Sequence, residues 1–202
     1  MLYKILLLFL LIPGFNNKSY CQNIDINILR EINLNRNRSL DGPFITVTNS
    51  LKLVTTAVPI GMACVGLIRK DTNMIRSVLV IGASSVIQGL ITKNLKRIIN
   101  RPRPYVTYPE LENLAGAGDG SFPSGHASGA FAFATALSLE YPEWYVIVPC
   151  YTWASTVAYS RMHMGVHYPS DILMGAAVGA GSAWISHYLN QKLFRKNKIV
   201  SW

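Results

Sequence analysis

Two imidazoles, one carboxylate and three fixed cations recur at short spacing in the middle of this chain, and together they can carry out phosphoryl transfer. Lys96 and Arg103-Pro104 form a first cluster, Pro123-Ser124-Gly125-His126 a second, and Ser160-Arg161, His167 and Asp171 a third. Cations that converge with backbone N–H groups make an anion site. His167 and Asp171 lie four residues apart around Pro169, a residue favoured in a first helical turn, so both side chains fall on one helix face. The carboxylate can then accept from one ring nitrogen and leave the other free as nucleophile or base, while His126 supplies an acid. Ser124 suits a helix N-cap, whose free N–H groups favour an oxyanion, and Gly125 lets backbone approach a phosphate closely. Arg103 offers a planar fork for two phosphate oxygens. Lys96 reaches the same ligand because Pro102 and Pro104 unwind the chain between them. Lys96, Arg103 and Arg161 bring the charge a metal would otherwise supply, so the inventory predicts metal-independent chemistry with no cofactor.

The elements that must hold these residues are apolar. At 202 residues the chain is long enough for one domain with a real core. Half the residues are apolar and 14% are charged, well below the usual share in soluble domains. The net charge of +9 raises nucleic acid as a partner, but the cations sit at segment ends with no aromatic-interleaved basic face, which excludes it. An anionic membrane surface and an anionic substrate account for the surplus. Residues 1–22 read as a signal peptide or short anchor, with Lys4 ahead of an apolar run too short to span a bilayer. Residues 23–45 read as an amphipathic segment on the membrane surface, 46–191 as the membrane domain, and 192–202 as a basic cytoplasmic tail. Five spans are expected within that domain, at about 46–68, 77–95, 127–140, 144–160 and 170–190. With the mature N-terminus outside, Arg69, Lys70 and Arg76 and the C-terminal cations obey the positive-inside rule, and all three clusters face out. Arg101 reads as a headgroup contact, His163 as a neighbour of the site, and His187 as a helix residue without a chemical role. No disulfide is expected of Cys64 and Cys150, which fall in apolar segments.

Taken together, Lys96 with Arg103-Pro104, Pro-Ser-Gly-His at 123–126, and Ser160-Arg161 with His167 and Asp171 resemble the tripartite signature of the type 2 phosphatidic acid phosphatase family. That family shares its site with bacterial acid phosphatases and vanadium haloperoxidases. The resemblance implies an all-α, multi-span helix bundle with an outward-facing active site. It further implies His167 as the nucleophile of a phosphohistidine, Asp171 as its orienting group, and His126 as the acid and later the base. Lys96, Arg103, Ser124, Gly125 and Arg161 would hold the phosphate oxygens. The expected partners are membrane lipids and a lipid phosphate or diphosphate, with no obligate protein partner, in a bacterial inner membrane facing the periplasm. A soluble exported acid phosphatase, a vanadate-dependent haloperoxidase, a lipid phosphotransferase and a non-enzymatic membrane protein are the competing readings. The loop 105–122 is placed at the entrance to the site.

Overall fold

Local signals divide the chain into helices at sharp, identifiable points. The structure, a computed structural model, describes residues 18–116, 118 and 120–195, with the side chains of 18–23 and 194–195 left aside. The expected leader at 1–22 therefore lies mostly outside the described residues, as does the basic tail beyond 195. All regular structure among the described residues is helical: α1 (Lys18–Leu34), a 3-10 turn (Arg38–Leu40), α2 (Asp41–Arg69), α3 (Thr72–Ile99), the short α4 (Pro104–Thr107), α5 (Gly125–Glu140), α6 (Trp144–His163) and α7 (Pro169–Arg195).

α2 ends where Lys70 turns left-handed, with φ of 53°, and sends its N–H back to Gly66. Asp71 then caps α3, accepting from the N–H groups of Asn73 and Met74 at 2.9 and 3.1 Å. α3 stops at Asn100, also left-handed, immediately before Arg101-Pro-Arg-Pro, which cannot continue a helix. Pro169 opens α7 at its first position.

Three stretches, Arg38–Arg69, Thr72–Thr107 and Pro169–Leu193, are long and apolar enough to cross a membrane. They carry a girdle of exposed apolar side chains, among them Leu53, Leu67, Leu79, Val86, Leu90 and Leu173, as lipid contact requires. The α5 and α6 regions, also expected as spans, are built differently. α5 has 16 residues, about 24 Å, and is apolar on every side. It buries Ala127, Ala130, Phe133, Ala134 and Ala136, so it is the central post of the bundle rather than a lipid-facing span. α7 lies against it without intervening side chains: a Cβ on Gly175 would meet the Ser124 carbonyl at 2.6 Å, and one on Gly179 would run into the Ser128 carbonyl. This four-residue spacing of glycines lets two backbones touch.

The bundle has two chemically distinct ends. At one, Trp144, Tyr145, Trp184 and Tyr188 are exposed as in an interfacial aromatic belt, near Arg69, Lys70 and Arg76. At the other lie the C-terminal ends of α3 and α6 and the N-terminal ends of α5 and α7. α1 packs over that second end, burying Ile26 and Leu29 against Leu111 and Tyr168 while Ile24, Ile28 and Leu34 stay exposed.

Candidate active site

Each cluster read from the sequence arrives at this end on a different element. Lys96 comes from the last turn of α3, Arg103 from the α3–α4 link, Ser124 to His126 from the start of α5, Arg161 from the end of α6, and His167 and Asp171 from the start of α7. They converge: His126 feels the charges of Arg161, Arg103 and Lys96 as well as His167, and His167 feels Arg103 and Lys96 in turn.

Asp171 is completely buried and all of its acceptor capacity is directed. Oδ1 accepts from Arg101 Nη1 at 2.8 Å; Oδ2 accepts from the Tyr168 N–H at 2.9 Å and from Ser121 Oγ, and faces His167 Nδ1 at 3.5 Å. Ser121 Oγ also stands 3.4 Å from His167 Nδ1. The imidazole is therefore gripped on its Nδ1 side, which leaves Nε2 to point away from the carboxylate. Burial of Asp171 without these donors would be prohibitive.

The Ser124 N–H donates to the Asp171 carbonyl at 2.9 Å, tying the second cluster to the third through backbone. Ser124 Oγ caps α5 by accepting from the Ala127 N–H. Arg103 Nη1 donates to the Val166 carbonyl at 3.2 Å, and Lys96 Nζ donates to the Gly120 carbonyl. A Cβ on Gly118 would stand 3.0 Å from Arg103 Nη2, so the glycine-rich end of the 105–122 loop lies directly over the cations. Arg161 is buried, donating from Nη1 to Thr48 Oγ1 at 3.1 Å, while its Nε finds no partner among the described residues. A buried guanidinium N–H without an acceptor is costly, and an oxyanion is the kind of ligand that satisfies one.

Burial and these cations set the protonation of both imidazoles. His126 is pushed down to about 3, first by burial and then by Arg161, His167, Arg103 and Lys96. His167 is pushed down to about 4 by burial, against the opposing pull of Asp171. At neutral pH the site is thus a pair of neutral imidazoles facing three cations. An entering phosphate dianion reverses that field and favours a proton on His126.

Four residues of the site were not read as such from the sequence. Arg101, expected at lipid headgroups, instead bridges Asp171 and Asp25 and stacks on the Tyr168 ring at 3.7 Å. Its signal was the pair of arginines in Arg101-Pro-Arg-Pro, of which only the second was assigned. Ser121 is separated from the Pro-Ser-Gly-His motif by Phe122 alone, and nothing in its spacing marked it. Asp25 accepts from Arg101 Nη2 and the Ser170 N–H, and Thr48 holds Arg161; both stand far from the motifs in sequence. His163, expected near the site, lies in the same last turn of α6 as Arg161, pairs with Asp41 at 2.7 Å and packs at a tilt against Phe44. His187 lies at the opposite end of the bundle, paired with Glu140.

The family model of the PAP2 superfamily matches residues 77–195. An undecaprenyl-diphosphatase of Sulfolobus acidocaldarius is 33% identical over 189 residues, covering 91% of this chain and 87% of that protein. A lipid A 4'-phosphatase of Bacteroides thetaiotaomicron is 30% identical over 94 residues, and a lipid A 1-phosphatase of Rhizobium johnstonii 36% over 107. The matches cover 46% and 50% of this chain, and the chain spans 42% and 41% of the length of those two relatives. Among solved structures, the transmembrane PAP2 type phosphatidylglycerolphosphate phosphatase from Bacillus subtilis superposes with a TM-score of 0.72 at 25% identity, over 96% of this chain and 97% of that one. Aquifex aeolicus LpxE superposes with a TM-score of 0.67 at 26% identity, over 81% and 94% respectively. The chain belongs to the PAP2 superfamily and has the all-helical transmembrane fold of its members.

Proposed function

We propose that this protein hydrolyses lipid phosphate esters without a metal ion, through a phosphohistidine on His167, at the outer face of a bacterial inner membrane. The observation that carries the reading is the buried His167–Asp171 pair, whose imidazole lies in the field of Arg103 and Lys96 next to His126 and Arg161, at one end of an apolar bundle. In the first step His167 Nε2 forms the bond to phosphorus as the P–O bond to the lipid breaks, and His126 protonates the departing oxygen. Water then attacks phosphorus, His126 takes its proton, and the P–N bond breaks to release phosphate. Lys96, Arg103 and Arg161, with the Ser124 hydroxyl and the Gly125 N–H, stabilise the charge on the equatorial oxygens. Asp171 orients the imidazole and stabilises the cation formed on it, while its own oxygens are committed to Arg101, Tyr168 and Ser121.

The names of the relatives support a lipid phosphate as substrate, and the girdle of exposed apolar side chains supports a bilayer as its source. Outward orientation is supported by Arg69, Lys70 and Arg76 at the end opposite the histidines. Two measurements test the reading. Purified protein releases phosphate from a lipid phosphate in excess EDTA and is inhibited by vanadate; full loss with EDTA and rescue by magnesium contradicts it. With native cysteines replaced, Ala115→Cys reacts with an impermeant maleimide in cells whose outer barrier is opened, and Lys70→Cys reacts only after lysis; the reverse pattern puts the site inside.

A further inference from the structure

α2 passes through its apolar stretch with one charged side chain: between Asp41 and Arg69, Lys52 is the single Asp, Glu, Lys or Arg. An ionisable group at such a depth is costly and serves a polar cavity or a ligand. Its position on the helix says which. Thr48, one turn toward the site, accepts from Arg161, and Thr48, Lys52 and Thr55 line one cavity beside the site, with Thr48 buried and Lys52 itself exposed. On α3, Ser85 and Gln88 face it, and Gln88 Oε1 accepts from Ser128 Oγ at 2.6 Å. These side chains and His126 line one cavity of about 620 Å³. A lysine, an amide and hydroxyls thus surround a space that opens beside the proton donor.

The chemistry assigns that space. In an in-line displacement the nucleophile and the leaving oxygen occupy opposite sides of phosphorus. His167 attacks from one side, so the leaving group departs on the His126 side, into the cavity. A phosphate monoester of an alcohol leaves as a neutral hydroxyl and offers Lys52 nothing to pair with. A diphosphate monoester leaves as a lipid monophosphate, whose charge grows as the bridging P–O bond breaks. A fixed ammonium there stabilises the transition state more than the ground state.

Resting on the phosphatase reading above, we propose that Lys52 binds the lipid-side phosphate of a lipid diphosphate and selects diphosphates over monophosphates. The step balances: the His167 N–P bond forms, the bridging P–O bond breaks with its electron pair on the lipid phosphate, and His126 supplies the proton. Water later takes the terminal phosphoryl group, so one lipid monophosphate and one phosphate result.

Phosphate release from farnesyl diphosphate and from farnesyl monophosphate, in detergent, separates the possibilities. Lys52→Met lowers kcat/KM for the diphosphate by about 30- to 100-fold and for the monophosphate by less than about threefold; Lys52→Arg retains most of the diphosphate activity. Inhibition by vanadate, which fills the terminal phosphoryl site alone, is unchanged in Lys52→Met. Equal losses on both lipids, or no loss on either, overturns the role of Lys52. Wild-type activity on the monophosphate without activity on the diphosphate overturns the diphosphate assignment and leaves the phosphatase reading standing. Release from neither lipid removes the phosphatase reading, and this inference with it.

Discussion

Of the histidine–carboxylate pairs among the described residues, the one at the far end of the bundle is tighter than the His167–Asp171 pair at the candidate site, and no chemical role is proposed for it. At the far end His187 Nδ1 lies 2.6 Å from Glu140 Oε1, and its Nε2 lies 2.6 Å from Gln191 Nε2. Both ring nitrogens are occupied, and the second carboxylate oxygen is engaged by Ser77 at 2.8 Å. This pair fastens α7 to α3 and α5. At the near end His167 stands 3.5 Å from Asp171, is held among the described residues on its Nδ1 side, and feels the charges of Arg103 and Lys96. A histidine beside a carboxylate is therefore a common structural fastening. A site needs the second ring nitrogen kept open and an electrostatic field that calls for an anion.

That comparison is broken most severely at the proposed nucleophile. His167→Ala lowers kcat by about 10⁴-fold or more, whereas His187→Gln leaves kcat within about twofold and moves only thermal stability, as turnover and melting temperature measured together will show. Arg101→Gln comes next. It leaves a fully buried Asp171 oxygen without its charged donor, a change that costs about 3–5 kcal/mol when one partner of a buried pair is removed. Its kcat falls by about 10- to 100-fold, and Arg101→Lys recovers part of it. Asp25→Asn, one contact further out, gives a smaller loss in the same assay, about three- to tenfold.

The smallest effect is read in pH. Unfolded imidazoles take up protons as pH falls through about 6.5, but His167 in the fold does so only near 4 and His126 near 3. Between those values the unfolded chain binds more protons, so the unliganded protein loses stability as pH falls from about 6.5 toward 4. Vanadate or phosphate opposes that loss by favouring a proton on His126. A melting temperature that rises on acidification without ligand contradicts the burial of these neutral rings.

How much of this was legible depended on the range of the interaction. Lys96, Arg103, Ser124, Gly125, His126, Arg161, His167 and Asp171 could be read as one candidate site because residue type, spacing and helix-start chemistry are local properties. The helical class followed from the motif resemblance, with which the long apolar runs agree. Arg101 was misread as a headgroup contact because its partners, Asp25 and Asp171, lie 76 and 70 residues away. α1 was expected along the membrane surface from its mixed pattern. Its buried polar side chains, Asp25 and Asn33, have meaning only against the loops they hold, Asn33 bonding Glu112 and His163 backbone. α5 read as an ordinary span because apolar composition cannot separate a helix facing lipid from one surrounded by its neighbours.

The central claim is that His167 is the residue that becomes phosphorylated, and trapping tests it most directly. His126→Ala lacks the group that activates water but keeps the nucleophile, so with p-nitrophenyl phosphate, whose leaving group needs no acid, it accumulates the intermediate. Rapid quenching followed by peptide mapping is predicted to find acid-labile, base-stable phosphate on His167 in that variant, and none in the His126→Ala/His167→Ala double variant. Equal phosphate in both, or phosphate mapped to another side chain, would contradict the account.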